Sequence, residues 1–163
     1  MRRISAIAVI LALALSACAN GDDVEETEDD VEEIEDEGEA NGYSVDDQPD
    51  AQASFESPQD GDTVSETFAV ELAAEGVDLV EAGAPEVGEA HLHVLADIGC
   101  YDTAEVIPGP SDEDEAEGRF HLGDGSDSRE IELEPGTYEL CVQLGDGAHI
   151  AFGDTETITV TVE

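Results

Sequence analysis

From Ala53 onward the chain is a succession of short runs in which apolar and polar residues alternate. Phe68, Val70 and Leu72 alternate in TFAVELA, Ile131 and Leu133 in REIELE, and Tyr138, Leu140, Val142 and Leu144 in TYELCVQLG. Ile158, Val160 and Val162 do the same in the closing TITVTVE. Side chains two apart share one face of a strand, so each run predicts a strand with one buried and one solvated face. Turn residues such as Pro135-Gly136 separate the runs. About seven such runs predict an all-β fold, an immunoglobulin-like antiparallel β-sandwich with no helix of any strength. One segment breaks the rhythm. IGCYDTAEVIPGPSDEDEAEG carries Cys100, a short β-like Val106-Ile107, two Pro-containing turns and an acidic tip, and reads as an excursion between strands.

The same parity gives GEAHLHVLAD a divided character. Leu92, Val94 and Ala96 face one way, and His91, His93 and Asp97 face the other. Residues two apart on a strand are roughly 6.5 to 7 Å apart, which lets the two imidazoles converge on one point. His121 lies opposite Phe120 and Leu122 in RFHLGDG, and His149 sits in a Gly/Asp-rich turn. Imidazole suits Zn(II) and Cu(II), so His91, His93, His121 and His149 form a candidate metal site, with Asp97 as an additional candidate ligand. Four histidines in 163 residues are also an ordinary number for polar strand and loop positions. Metal binding there would compete with protons, and the acidic surroundings would favour the protonated rings.

The N-terminus supplies an address. Arg2 and Arg3, the apolar run Ile4 to Leu15 and the small residues after it form a secretory signal over residues 1–17. Leu15-Ser16-Ala17-Cys18 resembles a bacterial lipobox, which makes Cys18 the lipidated first residue of a membrane-anchored, extracytoplasmic lipoprotein at the cell surface or in the periplasm. Its partner is then the lipid bilayer. Residues 18–52 are dominated by Asp and Glu and read as a disordered acidic tether, with the sandwich occupying residues 53–163. With Cys18 lipidated, Cys100 and Cys141 remain as a pair in an oxidising compartment and are expected to form a disulfide. If Tyr138, Leu140 and Val142 face the core, Cys141 faces outward, so the bridge pins the excursion to the outer face.

Charge narrows the partners further. The chain holds 4 basic and 44 acidic residues, a formal net charge of −40. Once the signal is removed, only Arg119 and Arg129 remain, and there is no lysine. Nucleic acid is excluded as a partner because it requires a positive patch. The acidic residues are spread along the domain as well as the tether, which suits life at high salt, where self-repulsion is screened.

GEAHLHVLAD, FHLGDGSDSREIELEPGTYEL, VQLGDGAHI and the closing ITVTV together resemble the bacterial family called domain of unknown function 4399, over roughly Ala53 to Glu163. The resemblance implies a His-rich strand, a later His-containing Gly segment, a Pro-Gly turn and a Leu-Gly-Asp-x-x-His segment. It does not supply a function. Here the family's triple-His run is His91-Leu92-His93, a frequent His is Tyr138, and the cysteine pair is an addition. His-x-His on a β-strand is locally similar to copper/zinc superoxide dismutase, but that dinuclear centre uses six histidines and an aspartate. A Gly-x-Ser-x-Gly nucleophile motif is also missing, and no enzyme is expected. Two classes stay open: a tethered metal-binding module, and a structural or interaction domain at the cell surface without a metal.

Overall fold

The computed structural model describes residues 43–163. The signal, Cys18 and most of the acidic tether lie outside the described residues. After a 3-10 turn at Val45–Asp47, nine strands and one short α-helix follow in order: β1 (Gln52–Ser57), β2 (Thr63–Val64), β3 (Thr67–Glu75), β4 (Asp78–Leu79), β5 (Glu89–Ala96), α1 (Asp112–Ala116), β6 (Arg119–Leu122), β7 (Ser128–Glu132), β8 (Gly136–Gly145) and β9 (Ala151–Val162). The domain is an all-β sandwich. One layer is β1–β3–β7; the other centres on β5–β8–β9, with β6 beside β5, and the short pairing of β9 with β1 joins the two.

The alternating runs become strands because each buries one face. Phe68, Val70 and Leu72 of β3 meet Leu92 and Val94 of β5 and Leu140, Val142 and Leu144 of β8 in a single core. Val70, Leu92, Val94, Leu140, Val142 and Leu144 are wholly buried. Side chains of this kind each stabilise the fold by roughly 1.5 to 3 kcal/mol when removed from water. The pairing is not purely antiparallel, as the alternation alone suggested. β1 and β2 each pair with β9 in parallel, and β4 pairs in parallel with the start of β5. Period-two alternation fixes which face is buried but carries no information about strand direction.

A helix also appears where none was expected. Ser111 caps α1 by accepting the Asp114 N–H, and the acidic first turn complements the positive end of the helix.

The excursion between β5 and β6 folds back over the outer face of β5 and β8. Leu95, Ile107, Cys141 and Ala151 form a second, smaller core there, with Tyr101 packed against it. Cys100 and Cys141 are joined by a disulfide with Cα atoms 5.7 Å apart. Two residues along β8, the buried Gln143 accepts the Tyr101 N–H (2.9 Å) and donates to the Tyr101 carbonyl (2.8 Å). Cys141 therefore does point away from the main core, as parity requires. It is nevertheless buried, because the excursion roofs that face.

Upstream of Ala53 the chain also packs on the domain. Val45 lies against the main core, and the Gln48 side chain accepts the Gly88 N–H (2.8 Å) and donates to the Glu86 carbonyl (3.1 Å). Within the described residues, no helix is long and apolar enough to cross a membrane.

Candidate metal centre

Under the same roofed face, beside the second core, the four histidines come together. His91 and His93 project from β5, on the side opposite Leu92 and Val94, and are almost fully buried at 0% and 1% exposure. β6 lies antiparallel to β5 with His121 directly opposite His93, so the third imidazole arrives by strand register. His149 comes from the turn between β8 and β9. Its backbone is left-handed, with φ 63°, a conformation in which His is enriched relative to most non-glycine residues.

The turn is built around Asp146, which is wholly buried. Its Oδ1 accepts the N–H groups of Ala148 (2.8 Å) and Ile150 (2.9 Å), and its carbonyl accepts the His149 N–H (2.9 Å). Backbone strain of order 1 kcal/mol at one residue persists only where its surroundings over-determine it, and Asp146 supplies that constraint.

One nitrogen from each of the four rings lies within 4.8 Å of the other three. Hydrogen bonds join His93 Nε2 to His91 Nε2 (2.9 Å) and His149 Nε2 to His121 Nε2 (3.1 Å). A tetrahedral ion with metal–nitrogen bonds of 2.0 to 2.1 Å needs nitrogens about 3.3 to 3.4 Å apart, so these two pairs would open by a few tenths of an ångström, while the widest separation, 4.8 Å, would close by about 1.4 Å. Ring-centroid separations over all six pairs run from 4.7 to 5.4 Å. The four rings therefore surround a common point, while their nitrogens are spread from 2.9 Å to 4.8 Å, and a set of four imidazoles suits Zn(II) or Cu(II).

Two glycines make room for the rings. Gly145 of β8 stands opposite His91, and a Cβ there would lie 2.9 Å from His93 Nε2 and 3.4 Å from His91 Nε2. The His121 ring folds over Gly123, where a Cβ would lie 1.8 Å from its Cε1. Neither glycine stands out in a Gly-rich sequence until the fold places it against a ring.

Burial controls the protonation. It lowers the His91 pKa from 6.5 to about 3, helped by repulsion from His121 and His149, and holds His93 well below its ordinary value. His121 and His149 are also lowered, chiefly by burial, although Asp146 opposes the shift at His149. The expectation that acidic surroundings keep the rings protonated is thus reversed. Desolvation outweighs the distant carboxylates, and the neutral ligand form is favoured. His91 Nδ1 has no hydrogen-bond partner, so that ring is held by its Nε2 contact with His93 and by packing among the other three rings.

Asp97 does not join the cluster. It follows β5 at φ 56°, is exposed, and accepts the Glu139 N–H at 2.8 Å. The left-handed turn breaks the strand parity that aligned it with the histidines, and four residues of strand, roughly 13 Å, separate it from His93. Beside His121, a cleft lined by Glu81, Asp124, Ser126 and Arg129 opens to solvent.

The family described as domain of unknown function (DUF4399) matches residues 70–163, a stretch containing all four histidines. The chain belongs to this family. No curated protein matches. Among solved structures, the fibronectin(III)-like modules of Clostridium thermocellum CbhA are similar at 12% identity and a TM-score of 0.41, covering 71% of this chain and 47% of that one. The endo-beta-1,4-mannanase from Thermotoga petrophila is similar at 13% identity and a TM-score of 0.39, covering 76% of this chain and 21% of that one. The chain thus spans less than half the length of either structure.

Proposed function

We propose that the domain is a metal-binding module that takes one divalent transition ion, Zn(II) or Cu(II), through His91, His93, His121 and His149. The observation that carries this reading is the convergence of four imidazole nitrogens within 4.8 Å of one another. Their lowered pKa values support it, since neutral rings bind an ion without first losing a proton.

Four protein ligands fill a tetrahedral site, and the fourth position that catalytic zinc sites reserve for water or substrate is taken. The module therefore buffers or stores its ion and is not an enzyme. A superoxide dismutase-like dinuclear centre lacks the histidines it would need. The cleft beside His121, bordered by Glu81 and Asp124, offers a cation a route to that half-buried ring.

The test is titration of the protein with Zn(II) and Cu(II), beside a His91→Ala/His93→Ala variant. The expected result is one equivalent bound by the wild type and none by the variant. Identical behaviour of the two proteins would sink the metal site and leave a metal-free interaction domain.

We also infer, from the lipobox, that Cys18 anchors the chain to an extracytoplasmic membrane surface. The Cys100–Cys141 disulfide is compatible with that compartment. Mass spectrometry of the membrane fraction tests it: an unmodified Cys18 behind an uncleaved or differently cleaved signal would refute the anchor.

A further inference from the structure

Tyr43 lies far from the four histidines in sequence, yet its hydroxyl donates to Oδ2 of Asp146 at 2.6 Å. The other oxygen of that carboxylate holds the N–H groups on either side of His149, at Ala148 and Ile150. Asp146 is wholly buried, so this hydroxyl partly satisfies a carboxylate that water does not reach. Gln48 Nε2 donates to the Tyr43 hydroxyl (3.1 Å), and the same side chain holds Gly88 and Glu86, immediately before the strand that carries His91.

From this chain of contacts we propose that Tyr43 is a positioning residue for the metal centre. It acts through Asp146 to hold the His149 turn in its left-handed conformation, with the imidazole aimed at the other three. The proposal rests on the metal-binding reading above for its purpose but not for its geometry. Tyr43 and Gln48 belong to the segment leading out of the acidic tether, so the site is completed by residues outside the β-strands. Removing the hydroxyl leaves Asp146 able to turn, and the His149 nitrogen loses its fixed place. Outer-shell groups of this kind alter metal affinity by about 10- to 100-fold.

The experiment compares Tyr43→Phe with wild type in the full chain, each with and without His149→Ala. Phe keeps the ring and its packing. Zn(II) affinity is expected to fall about tenfold in Tyr43→Phe, and the substitution should have no further effect once His149 is gone. Without metal, hydrogen exchange at the Ala148 and Ile150 amides should quicken in Tyr43→Phe, while strands β5 and β8 keep their protection.

Unchanged affinity, or an equal loss in both backgrounds, would overturn the proposal, the second outcome pointing to general loosening. If the wild type takes up no Zn(II), the metal-binding reading fails by itself. Amide exchange then decides the contact separately: unaltered rates at Ala148 and Ile150 would remove Tyr43 from any role in holding the turn.

Discussion

The sharpest test of the imidazole cage alters none of its ligands. Gly145 is the last residue of β8, paired with His91 on β5 and Ala151 on β9, and its backbone is accessible to any residue. Gly145→Ala places a methyl group 2.9 Å from His93 Nε2, 3.2 Å from its Cδ2 and 3.4 Å from His91 Nε2. Ordinary contact begins near 3.4 Å, so the His93 ring must retreat by about 0.5 Å. A shift of that size is a quarter of a metal–nitrogen bond of about 2.0 Å. The expected consequence is a 10- to 100-fold loss of Zn(II) affinity, read by competition against a chromophoric chelator. The metal-free fold should lose about 1 to 2 kcal/mol at most, since the methyl crowds the buried His93 ring at a cost of about 1 to 3 kcal/mol, offset by about 0.4 to 1 kcal/mol from the lower entropy of the unfolded chain. Thermal melts with chelator present check that half. Gly123→Ala supplies the stronger limit: no retreat of tenths accommodates a methyl 1.8 Å from the His121 ring, so this variant should bind as weakly as His121→Ala. Wild-type affinity in Gly145→Ala would refute the reasoning, because it would mean that the nitrogens near Gly145 do not bind the ion.

Other outcomes follow from the same geometry. His91 is neutral in the fold down to about pH 3, whereas in the unfolded chain it takes up a proton below about 6.5. Its contribution therefore makes metal-free stability fall as pH drops through that window, and urea midpoints at pH 7 and 5 should fall less in His91→Gln than in wild type. Reducing the disulfide, or replacing both cysteines by Ser, should cost about 4 kcal/mol for a loop closed across 41 residues, measured by denaturant unfolding with and without reductant. Asp97→Asn should leave Zn(II) affinity unchanged by calorimetry, since the Asp97 carboxylate binds the Glu139 amide and no imidazole.

Much of this architecture is legible in the order of residues. Alternation alone assigned Leu92 and Val94 to the core and His91 and His93 to the opposite face, and it turned Cys141 away from Leu140 and Val142. What alternation cannot express is that a second layer buries that opposite face. The excursion resembles a solvent-exposed insertion, with Pro108, Pro110 and an acidic tip, and only Ile107 and Tyr101 mark the part that packs. Burial of His91 and His93 then reverses the protonation expected from net charge. Asp97 misled for a local reason: strand parity was extended one residue too far, into a left-handed turn. The partnership of Tyr43 with Asp146 spans 103 residues and leaves no periodic trace. The parallel pairing of β4 with β5 was equally invisible, because two residues are too few to show a pattern.

The neutral character of the cage has a consequence for how the proposed site would behave at high salt. Acidic surfaces collect cations through a long-range field, and at about 1 M salt that field decays within roughly 3 Å. A protein relying on its carboxylates would exchange its ion for the sodium around it. The imidazoles of His91 and His93 carry no charge and lie out of contact with solvent, and their bonds to an ion, about 2 Å long, are shorter than the screening distance even in brine. On the proposed metal-binding reading the domain would separate two tasks: its carboxylates would keep a crowded acidic chain hydrated, and its rings would select an ion by bond chemistry that ionic strength does not reach.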